Sequence, residues 1–451
     1  MQTLAKKYLT FIDASKLARW SVQGLCDTVV SYSHRLSLCR IGDFLIRNKC
    51  MITLDKATLY KRVTVRINNN GVSLRDTQMG MNIGTKKQYL AKTGQFIVSK
   101  IDARKGAFGI IPEELNHAIV TNDFPLFDVD TSLINPRFLL LITTTEPFIG
   151  FVQSCSRGTT NRQRMDMDLF LAQKIPLPSI TQQEIIVSNY YSKIEKAQSL
   201  SLQAVVLERD VQEFIPAILS CRSNDLTAYT STGLLKFVDF SSLDVWGVEK
   251  NSSARVVLNT AYKTLPIRDL CDVGSGGTPS RNKKEFYNGR IPWIKTAEVL
   301  NAVIYDTAEK ITPEAIDNST AKIFPKGSLI IAMYGQGLTR GRTAKLGIDA
   351  STNQACAVLY NIKTDLILTD FLWIYLIGEY HRLRALASGN NQPNLNAHMI
   401  KEYRVVIPPF ALQKQIIENY KNLKEEINQL LIHAEQLRAQ AVDEFEKNIF
   451  R

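Results

Sequence analysis

The chain carries two copies of one sequence pattern. Residues 11–22 and 237–248 share phenylalanine, aspartate, serine, leucine, tryptophan and valine at the same spacing. Further on, Ile41-Gly-Asp-Phe44 corresponds to Ile267-Arg-Asp-Leu270. Two copies of a pattern predict two similarly folded units in one polypeptide. Such a pseudo-symmetric molecule suits a pseudo-symmetric target, and duplex DNA is the commonest of these.

A second match closes each copy. Ile175-Pro-Leu-Pro178 followed by Gln182 corresponds to Val406-Ile-Pro-Pro409 followed by Gln413. Proline is tolerated at the start of a helix and disrupts its interior, so these residues indicate where a helix begins. We therefore predict that a long helix follows each proline pair.

The two predicted helices have the spacing of a coiled coil. Apolar residues recur at alternating steps of three and four from Ile186 to Ile218 and again from Ile416 to Phe445. This is the spacing of a heptad seam. A single stripe of this kind is usually the core-facing side of an amphipathic helix. Two stripes of similar length favour an antiparallel helix pair.

The middle of each copy has mixed α/β character. Short runs rich in β-branched and aromatic residues predict strands at 63–67, 95–99, 328–333 and 356–360, and helices are predicted near 135–141 and 369–380. The predicted fold class is α/β, with two mixed α/β domains alternating with two long helices that form an antiparallel coiled coil. The predicted boundaries are 1–180 for the first domain, 181–222 for the first helix, 223–409 for the second domain with its linker 223–248, and 410–451 for the second helix.

Composition narrows the possible classes of protein. The formal charge of +12 favours a polyanionic partner. No apolar run approaches the length of about eighteen residues that a membrane-spanning helix needs, and no signal-peptide pattern opens the sequence. The seven cysteines are scattered and lack metal or redox spacing. Reduced thiols in the cytoplasm are therefore expected.

No catalytic motif is convincing. Gly274–Pro279 lacks the Gly-Lys-Ser/Thr ending of a phosphate-binding P-loop, so a tight turn presenting basic side chains is favoured. Val406–Phe410 lacks the polar residue that precedes the prolines in base-extruding methyltransferases. Asp123, Asp128 and Asp130 could suggest a metal-dependent nuclease, but no lysine stands at a suitable spacing. We predict no catalytic residues and no metal site.

Basic and amide side chains concentrate in loops of both copies. Arginine and lysine neutralise phosphates, and arginine, asparagine and glutamine can bond to base edges in the major groove. The candidate DNA-binding residues of the first copy are Lys86, Lys87, Arg104, Lys105, Arg157, Arg162 and Arg164. Those of the second copy are Arg281, Lys283, Lys284, Arg340, Arg342, Lys345, Asn391 and Gln392. Their recurrence in both copies favours DNA contact by the set of loops.

Several runs of residues carry a family resemblance. In the second copy these are Gly274-Ser-Gly-Gly-Thr-Pro279, Ile291-Pro-Trp-Ile-Lys295, Gly341-Arg-Thr-Ala-Lys-Leu-Gly347 and Thr352-Asn-Gln354. In the first copy they are Tyr60–Val65, Gly94–Arg104 and Thr121–Phe124. With the two opening motifs, they make the whole chain resemble the specificity subunits of type I restriction–modification systems. The first copy lacks the Gly-Gly-Thr-Pro turn and the Pro-Trp-Ile run, so the two domains are expected to read different half-sites.

The resemblance implies a function in DNA recognition. Each of two target-recognition domains would bind one half of a bipartite, asymmetric DNA sequence. The paired helices would hold the half-sites about one duplex turn apart, on the order of ten base pairs. They would also dock two modification subunits, which methylate an adenine in each half-site and are joined by ATP-dependent restriction subunits.

The resemblance also implies that this chain is non-catalytic and holds no cofactor. S-adenosylmethionine, ATP and Mg²⁺ would belong to the partner subunits. Two alternatives remain open on the sequence alone. One is a repeat scaffold that binds only proteins, and the other is a self-contained methyltransferase or nuclease.

Overall fold

The computed structural model describes residues 32–157, 163–219, 260–335, 337–387 and 394–450. The opening motifs at 11–22 and 237–248, together with Arg162, Asn391 and Gln392, lie outside the described residues. The chain divides into two compact units, residues 1–199 with 433–451 and residues 200–432. Each unit therefore includes part of both long helices. The domain boundaries derived from the sequence stay a prediction.

The first unit is built on two larger sheets. Its elements are β1 (Leu38–Arg40), β2 (Leu45–Asn48), β3 (Met51–Thr53), β4 (Leu59–Val65), β5 (Val72–Met79), β6 (Lys87–Leu90), β7 (Phe96–Val98), β8 (Phe108–Ile110), β9 (Ile119–Val120), β10 (Leu126–Val129), α1 (Pro136–Thr143), α2 (Glu146–Ser154), β11 (Ser156–Arg157), β12 (Arg164–Met165), α3 (Met167–Ala172), β13 (Lys174–Pro176) and the start of α4 (Ile180–Ile218). The sheets have the strand orders β2-β10-β7-β8 and β3-β6-β9-β4-β5. Phe96, Phe108 and Phe148 are fully buried in the core shared by the first sheet and the helices.

The second unit is also built on two larger sheets. Its elements, with the rest of α4, are β14 (Lys263–Pro266), α5 (Ile267–Leu270), β15 (Asp272–Ser275), β16 (Ile291–Ile294), β17 (Val303–Ile304), β18 (Glu309–Ile311), α6 (Pro313–Asp317), β19 (Ile323–Phe324), β20 (Leu329–Ala332), β21 (Thr343–Leu346), β22 (Ala350–Thr352), β23 (Cys356–Tyr360), α7 (Thr369–Gly378), α8 (Tyr380–Ala385), α9 (Ala397–Glu402), β24 (Arg404–Ile407) and α10 (Phe410–Phe450). The sheets have the strand orders β15-β23-β20-β21-β17 and β18-β16-β22-β19. Helix α7 is apolar on all sides and almost wholly buried in the core.

The two units share one framework. The order β2-β10-β7-β8 of the first unit recurs as β15-β23-β20-β21 in the second. In both, a short strand that comes before the framework in the chain pairs antiparallel with the strand that precedes a long helix, β1 with β13 and β14 with β24. The Ile41 amide donates to the Gln173 carbonyl at 2.9 Å, and the Ile267 amide donates to the Tyr403 carbonyl at 2.9 Å. The sequence match of residues 41–44 with 267–270 is thus confirmed by equivalent contacts.

Each framework receives a different insertion. In the first unit, β3–β6 and β9 form the five-stranded sheet. In the second unit, β16, β18, β19 and β22 form a four-stranded sheet with other pairings. Each insertion interrupts the framework at two points in the chain. The first part comes before β7 in the first unit and before β20 in the second, and the second part follows β8 or β21. We call these two sheets the inserted sheets.

The local predictions agree with these elements. The predicted strands overlap β4, β7, β20 and β23, and the predicted helices overlap α1 and α7. The strand predicted at 63–67 begins earlier, at Leu59, and ends at Val65. The α/β fold class with two long helices is confirmed. Among the described helices, none combines the length and the apolar character that crossing a membrane requires.

A buried glutamine fixes the start of each long helix. Gln183 Oε1 accepts from the Asn135 amide at 2.8 Å, and Gln183 Nε2 donates to the Pro178 carbonyl at 2.8 Å. Gln413 makes the same kind of contacts, accepting from the Leu368 amide at 2.8 Å and donating to the Pro408 carbonyl at 2.9 Å. Both side chains are fully buried.

The sequence match at this point was wrong by one residue. Gln183, and not Gln182, is the counterpart of Gln413. Gln182 is exposed and accepts from Ser179 in the first turn of the helix. Because residues 182 and 183 are both glutamine, two alignments were possible, and only the burial distinguishes them.

The long helices pair antiparallel, as predicted. In the first unit, Tyr190 lies edge-on to Phe445 with ring centroids 6.2 Å apart, and Lys193 pairs with Glu444 at 2.7 Å. In the second unit, Glu208 near the end of α4 pairs with Lys424 in α10 at 2.8 Å. The start of α4 thus pairs with the end of α10, and the end of α4 pairs with the start of α10.

Candidate nucleic-acid interface

The loop between β7 and β8 in the first unit presents two basic residues. We call residues 99–107 the first hairpin loop. Ala103–Lys105 form a 3-10 turn that ends at Gly106, whose φ of 75° is left-handed. The Arg104 carbonyl accepts from Gln153 Nε2 at 3.3 Å, and Arg104 Nη1 donates to Gln163 Oε1 at 3.0 Å. Arg104 is therefore half-buried and held in place, while Lys105 is exposed.

The segment that includes β12 lies beside this loop. The Met165 amide donates to the Lys100 carbonyl at 2.8 Å. Arg164 makes two hydrogen bonds to the Asp123 carboxylate, each at 3.1 Å. The side chain of Arg157 and all of Arg162 lie outside the part of the chain that the structure describes. Two of the predicted residues, Arg104 and Arg164, are thus on segments that meet.

Sequence reasoning missed two further cations in this region. Arg47 Nη2 donates to Asn122 Oδ1 at 2.8 Å. Burial, with the nearby positive charge of Arg47, lowers the pKa of Lys100. Only Lys100 had a signal in the sequence, since it lies within the run Gly94–Arg104 that carries the family resemblance. Arg47 lies outside the basic loops that the sequence analysis selected.

Lys86 and Lys87 belong to the inserted sheet of the first unit. Lys86 Nζ donates to the Gly80 carbonyl at 2.8 Å and so stabilises a 3-10 turn. Lys87 is exposed and pairs with Thr53 in the strand register. Lys86 therefore has a structural bond, whereas the Lys87 side chain faces solvent.

The loop between β20 and β21 occupies the corresponding place in the second unit. We call residues 333–335 and 337–342 the second hairpin loop. The Arg340 carbonyl accepts from Arg384 Nη1 at 2.9 Å, and the Leu338 carbonyl accepts from Tyr380 Oη at 2.9 Å. Gly341 has a φ of 86°, and a Cβ there would lie 2.9 Å from the Arg384 side chain. The loop is therefore packed tightly against α8.

Helix α8 is itself anchored by a buried ion pair. Glu379 is only 1% exposed and pairs with Arg382 at 3.0 Å. It also accepts a hydrogen bond from Tyr403 Oη. Burial raises the pKa of the Glu379 carboxyl, and the charge of Arg382 opposes that rise. This contact fixes the helix from which Tyr380 and Arg384 reach the loop.

Two other predicted residues of the second unit are engaged by carboxylates. Lys345 in β21 forms an ion pair with Asp370. Arg281 Nη1 lies 2.8 Å from Glu309 Oε2, and its guanidinium stacks 4.2 Å from the centroid of the Tyr287 ring. A hydrogen bond from Lys295, with a second from Arg281, lowers the pKa of Glu309. These contacts hold Arg281 against its own sheet.

The remaining predicted residues of the second unit are less constrained. Lys283 Nζ lies 4.9 Å from the centroid of the Phe286 ring, and Lys284 is exposed. Arg342 is half-exposed. The Leu395 amide donates to the Met333 carbonyl at 3.1 Å, so the chain just after Asn391 and Gln392 returns to the second hairpin loop.

The glycine-rich turn after β15 serves close packing. A Cβ at Gly276 would lie 1.9 Å from the Thr352 carbonyl oxygen, and one at Gly277 would lie 2.4 Å from the Ala321 amide nitrogen. Trp293 Nε1 donates to the Gly277 carbonyl at 3.0 Å. The glycines let this turn approach neighbouring backbone, and Arg281 follows directly.

The acidic residues considered for a metal site have other partners. Asp123 pairs with Arg164 at 3.1 Å, and Asp128 Oδ1 accepts from Gln95 Nε2 at 2.7 Å. Asp130 accepts from the Ser132 amide and hydroxyl. Within the described ranges, no three histidine, cysteine, aspartate or glutamate side chains are grouped so that they could hold a metal ion.

Comparison with known proteins gives consistent matches. Residues 259–435 match a family described as the type I restriction modification DNA specificity domain. The HindI type I restriction enzyme specificity subunit of Haemophilus influenzae is 24% identical over 381 residues, which is 73% of this chain and 81% of the relative. The MjaIX specificity subunit of Methanocaldococcus jannaschii is 27% identical over 183 residues, or 37% and 41% of the two chains.

A solved structure has the same fold. Its description reads "structural basis underlying complex assembly and conformational transition of the type I R-M system". The match covers 94% of this chain and 97% of the other, with a TM-score of 0.57 and 15% identity.

Proposed function

Because this chain belongs to the type I restriction–modification specificity subunits, we propose that each of its units binds one half of a bipartite, asymmetric DNA target. One observation carries the proposal. Both units repeat one framework with a basic hairpin loop at the same place, yet they carry different inserted sheets. A repeated framework suits two half-sites on one duplex, and unlike insertions suit half-sites of unlike sequence.

The long helices would set the distance between half-sites and dock other subunits. On our proposal they hold the half-sites about one duplex turn apart, on the order of ten base pairs. Apolar side chains on their outer faces support docking. Leu202 and Val205 in α4 are 66% and 64% exposed, and Leu431 and Ile432 in α10 are 47% and 49% exposed. Exposed apolar groups of this kind are common at protein interfaces. The expected partners are two modification subunits and ATP-dependent restriction subunits.

We expect this chain to contribute recognition and no catalysis. S-adenosylmethionine, ATP and Mg²⁺ would then be used by the partner subunits, and the cytoplasm would be the place of action. A purified chain that transferred methyl groups or cleaved DNA by itself would support the alternative of a self-contained enzyme. A chain whose DNA affinity showed no sequence preference at physiological salt would support the protein scaffold.

The deciding experiment is genome-wide mapping of modified adenines by long-read sequencing in strains with and without this gene. The expected result is that deletion abolishes methylation at one asymmetric, split motif. An unchanged pattern in a strain shown to produce this chain and its modification subunit would refute the proposal.

A further inference from the structure

The two hairpin loops correspond in backbone structure as well as in position. The Ser99 amide donates to the Ala107 carbonyl at 3.0 Å, and the Ala332 amide donates to the Arg342 carbonyl at 2.9 Å. Each loop reaches its second strand through a left-handed glycine, Gly106 in one and Gly341 in the other. The two loops differ in length, but both close the same hairpin of the shared framework.

In both units, a segment that follows two helices returns to the start of the hairpin loop and makes a backbone hydrogen bond there. The Met165 amide donates to the Lys100 carbonyl, and the Leu395 amide donates to the Met333 carbonyl. Each of these residues is followed by a side chain that caps a short helix, Asp166 for α3 and Asn396 for α9. The correspondence therefore extends to the segments that flank the loops.

An arginine precedes the left-handed glycine in each loop, Arg104 by two residues and Arg340 by one. In both loops the backbone carbonyl of this arginine accepts a hydrogen bond from the second helix that follows the hairpin. Gln153 of α2 donates to the Arg104 carbonyl, and Arg384 of α8 donates to the Arg340 carbonyl. Both arginines are partly buried, which restricts their side chains. A side chain that is already restricted loses less entropy when it binds.

We propose that Arg104 and Arg340 are a repeated phosphate clamp, one on each half-site, and that base reading belongs to the inserted sheets. This inference rests on the proposed function. The two half-sites of an asymmetric target differ in sequence but share the sugar-phosphate backbone. A contact repeated on a common framework should therefore go to the shared part of the DNA. The parts that differ between the units should read the bases.

The arginine variants test the clamp directly. Arg104→Ala and Arg340→Ala would be compared with the unaltered chain, each in complex with its modification subunits. Binding would be measured on the mapped target and on an unrelated duplex over a series of salt concentrations. Each variant should weaken binding to both duplexes, on the order of tenfold, because one charged hydrogen bond is lost. The slope of log Kd against log salt should fall by about one, and the methylated motif should not change.

Arg268→Ala is the matched control. It removes an arginine that is paired with Glu402 and lies outside both loops. The control should leave the salt slope and the motif unchanged.

Tyr380→Phe tests the positioning of the second hairpin loop. It removes the hydroxyl that donates to the Leu338 carbonyl and accepts from Arg384 Nη1, and it removes no charge. Affinity should fall a few-fold while the salt slope stays the same, because the number of phosphate contacts is unchanged. A purely structural loss would lower the melting temperature and leave the affinity of the folded complex unaltered.

The outcomes separate this inference from the proposed function. A changed motif in one half-site of the Arg104 or Arg340 variant would show base reading and overturn the clamp. An unchanged affinity and slope would also overturn it. If the unaltered complex itself had no sequence preference, the proposed function would fail, whatever the variants did.

Discussion

At the residue scale, Gln413 joins the start of α10 to two buried backbone groups. Replacing it with alanine leaves the Leu368 amide and the Pro408 carbonyl without their partner inside the protein. We expect Gln413→Ala to lower the free energy of unfolding by about 1–3 kcal/mol. Gln415→Ala, at an exposed position in the same turn, is the control and should have little effect. Chemical denaturation measures both, and equal losses would contradict the role of the buried side chain.

Arg382 gives a second residue-scale prediction, and this one depends on pH. Its loss in Arg382→Met leaves the Glu379 carboxylate buried without its cation, which should cost about 3 kcal/mol at pH 8. Burial already raises the pKa of Glu379 above its ordinary value of 4.5, and the variant should raise it further. The folded state then binds a proton more tightly than the unfolded state, so the variant regains stability as the pH falls toward 4.5.

The double variant Glu379→Gln with Arg382→Met provides the check on this reasoning. Removing the carboxylate charge should recover part of the stability at pH 8. Unfolding curves at pH 5 and pH 8 measure the effect. A loss that was the same at both pH values, or that the double variant did not reduce, would show that the charge of Glu379 is not responsible.

At the element scale, the turn after β15 depends on the absence of a side chain. Gly276→Ala would place a Cβ 1.9 Å from the Thr352 carbonyl oxygen in β22, so backbone must move. We expect a loss of about 1–3 kcal/mol, as for other overpacked sites. At Gly347 the nearest obstacle is the ring of Tyr305, which is 71% exposed and can turn away. Gly347→Ala should therefore lower the melting temperature less, and the reverse order would contradict this account.

The elements also show what the sequence could and could not predict. The long helices and the main strands follow from local spacing of apolar residues, so 186–218 and 356–360 were predicted correctly. The inserted sheets depend on pairings such as β6 with β9, which no local pattern specifies. The one-residue error at Gln183 arose because two adjacent glutamines look alike until one is buried.

The candidate nucleic-acid interface was also predictable only in part. Basic runs identified Arg104 and Arg340, and the framework places them in corresponding loops. The partners of Arg281 and Lys345 are carboxylates brought near by folding, so their engagement was not predictable from charge patterns. DNA contact by each predicted residue stays a prediction.

At the scale of the whole molecule, the antiparallel helices lead to a prediction about half-site spacing. One heptad inserted in α4 or α10 lengthens that helix by about 10 Å and keeps the apolar seam in register. We expect the variant to methylate a motif with unchanged half-sites and altered spacing. A matched variant with a heptad of the same length that lacks the apolar seam should lose stability instead. Methylation mapping of both strains is the measurement, and retention of the original spacing in the heptad variant would count against the helices as a ruler.

The double interruption of each framework has a consequence for how new specificities can arise. The inserted sheet of the first unit is made from residues between β2 and β7 and from β9, and the strands β7 and β8 lie between these parts in the chain. A genetic exchange that replaced only one part would leave strands without their partners. A working exchange must therefore bring the whole stretch from the end of β2 to the start of β10, including the first hairpin loop. The heritable unit of specificity is thus larger than the surface that reads the bases, and it carries its own phosphate contact with it.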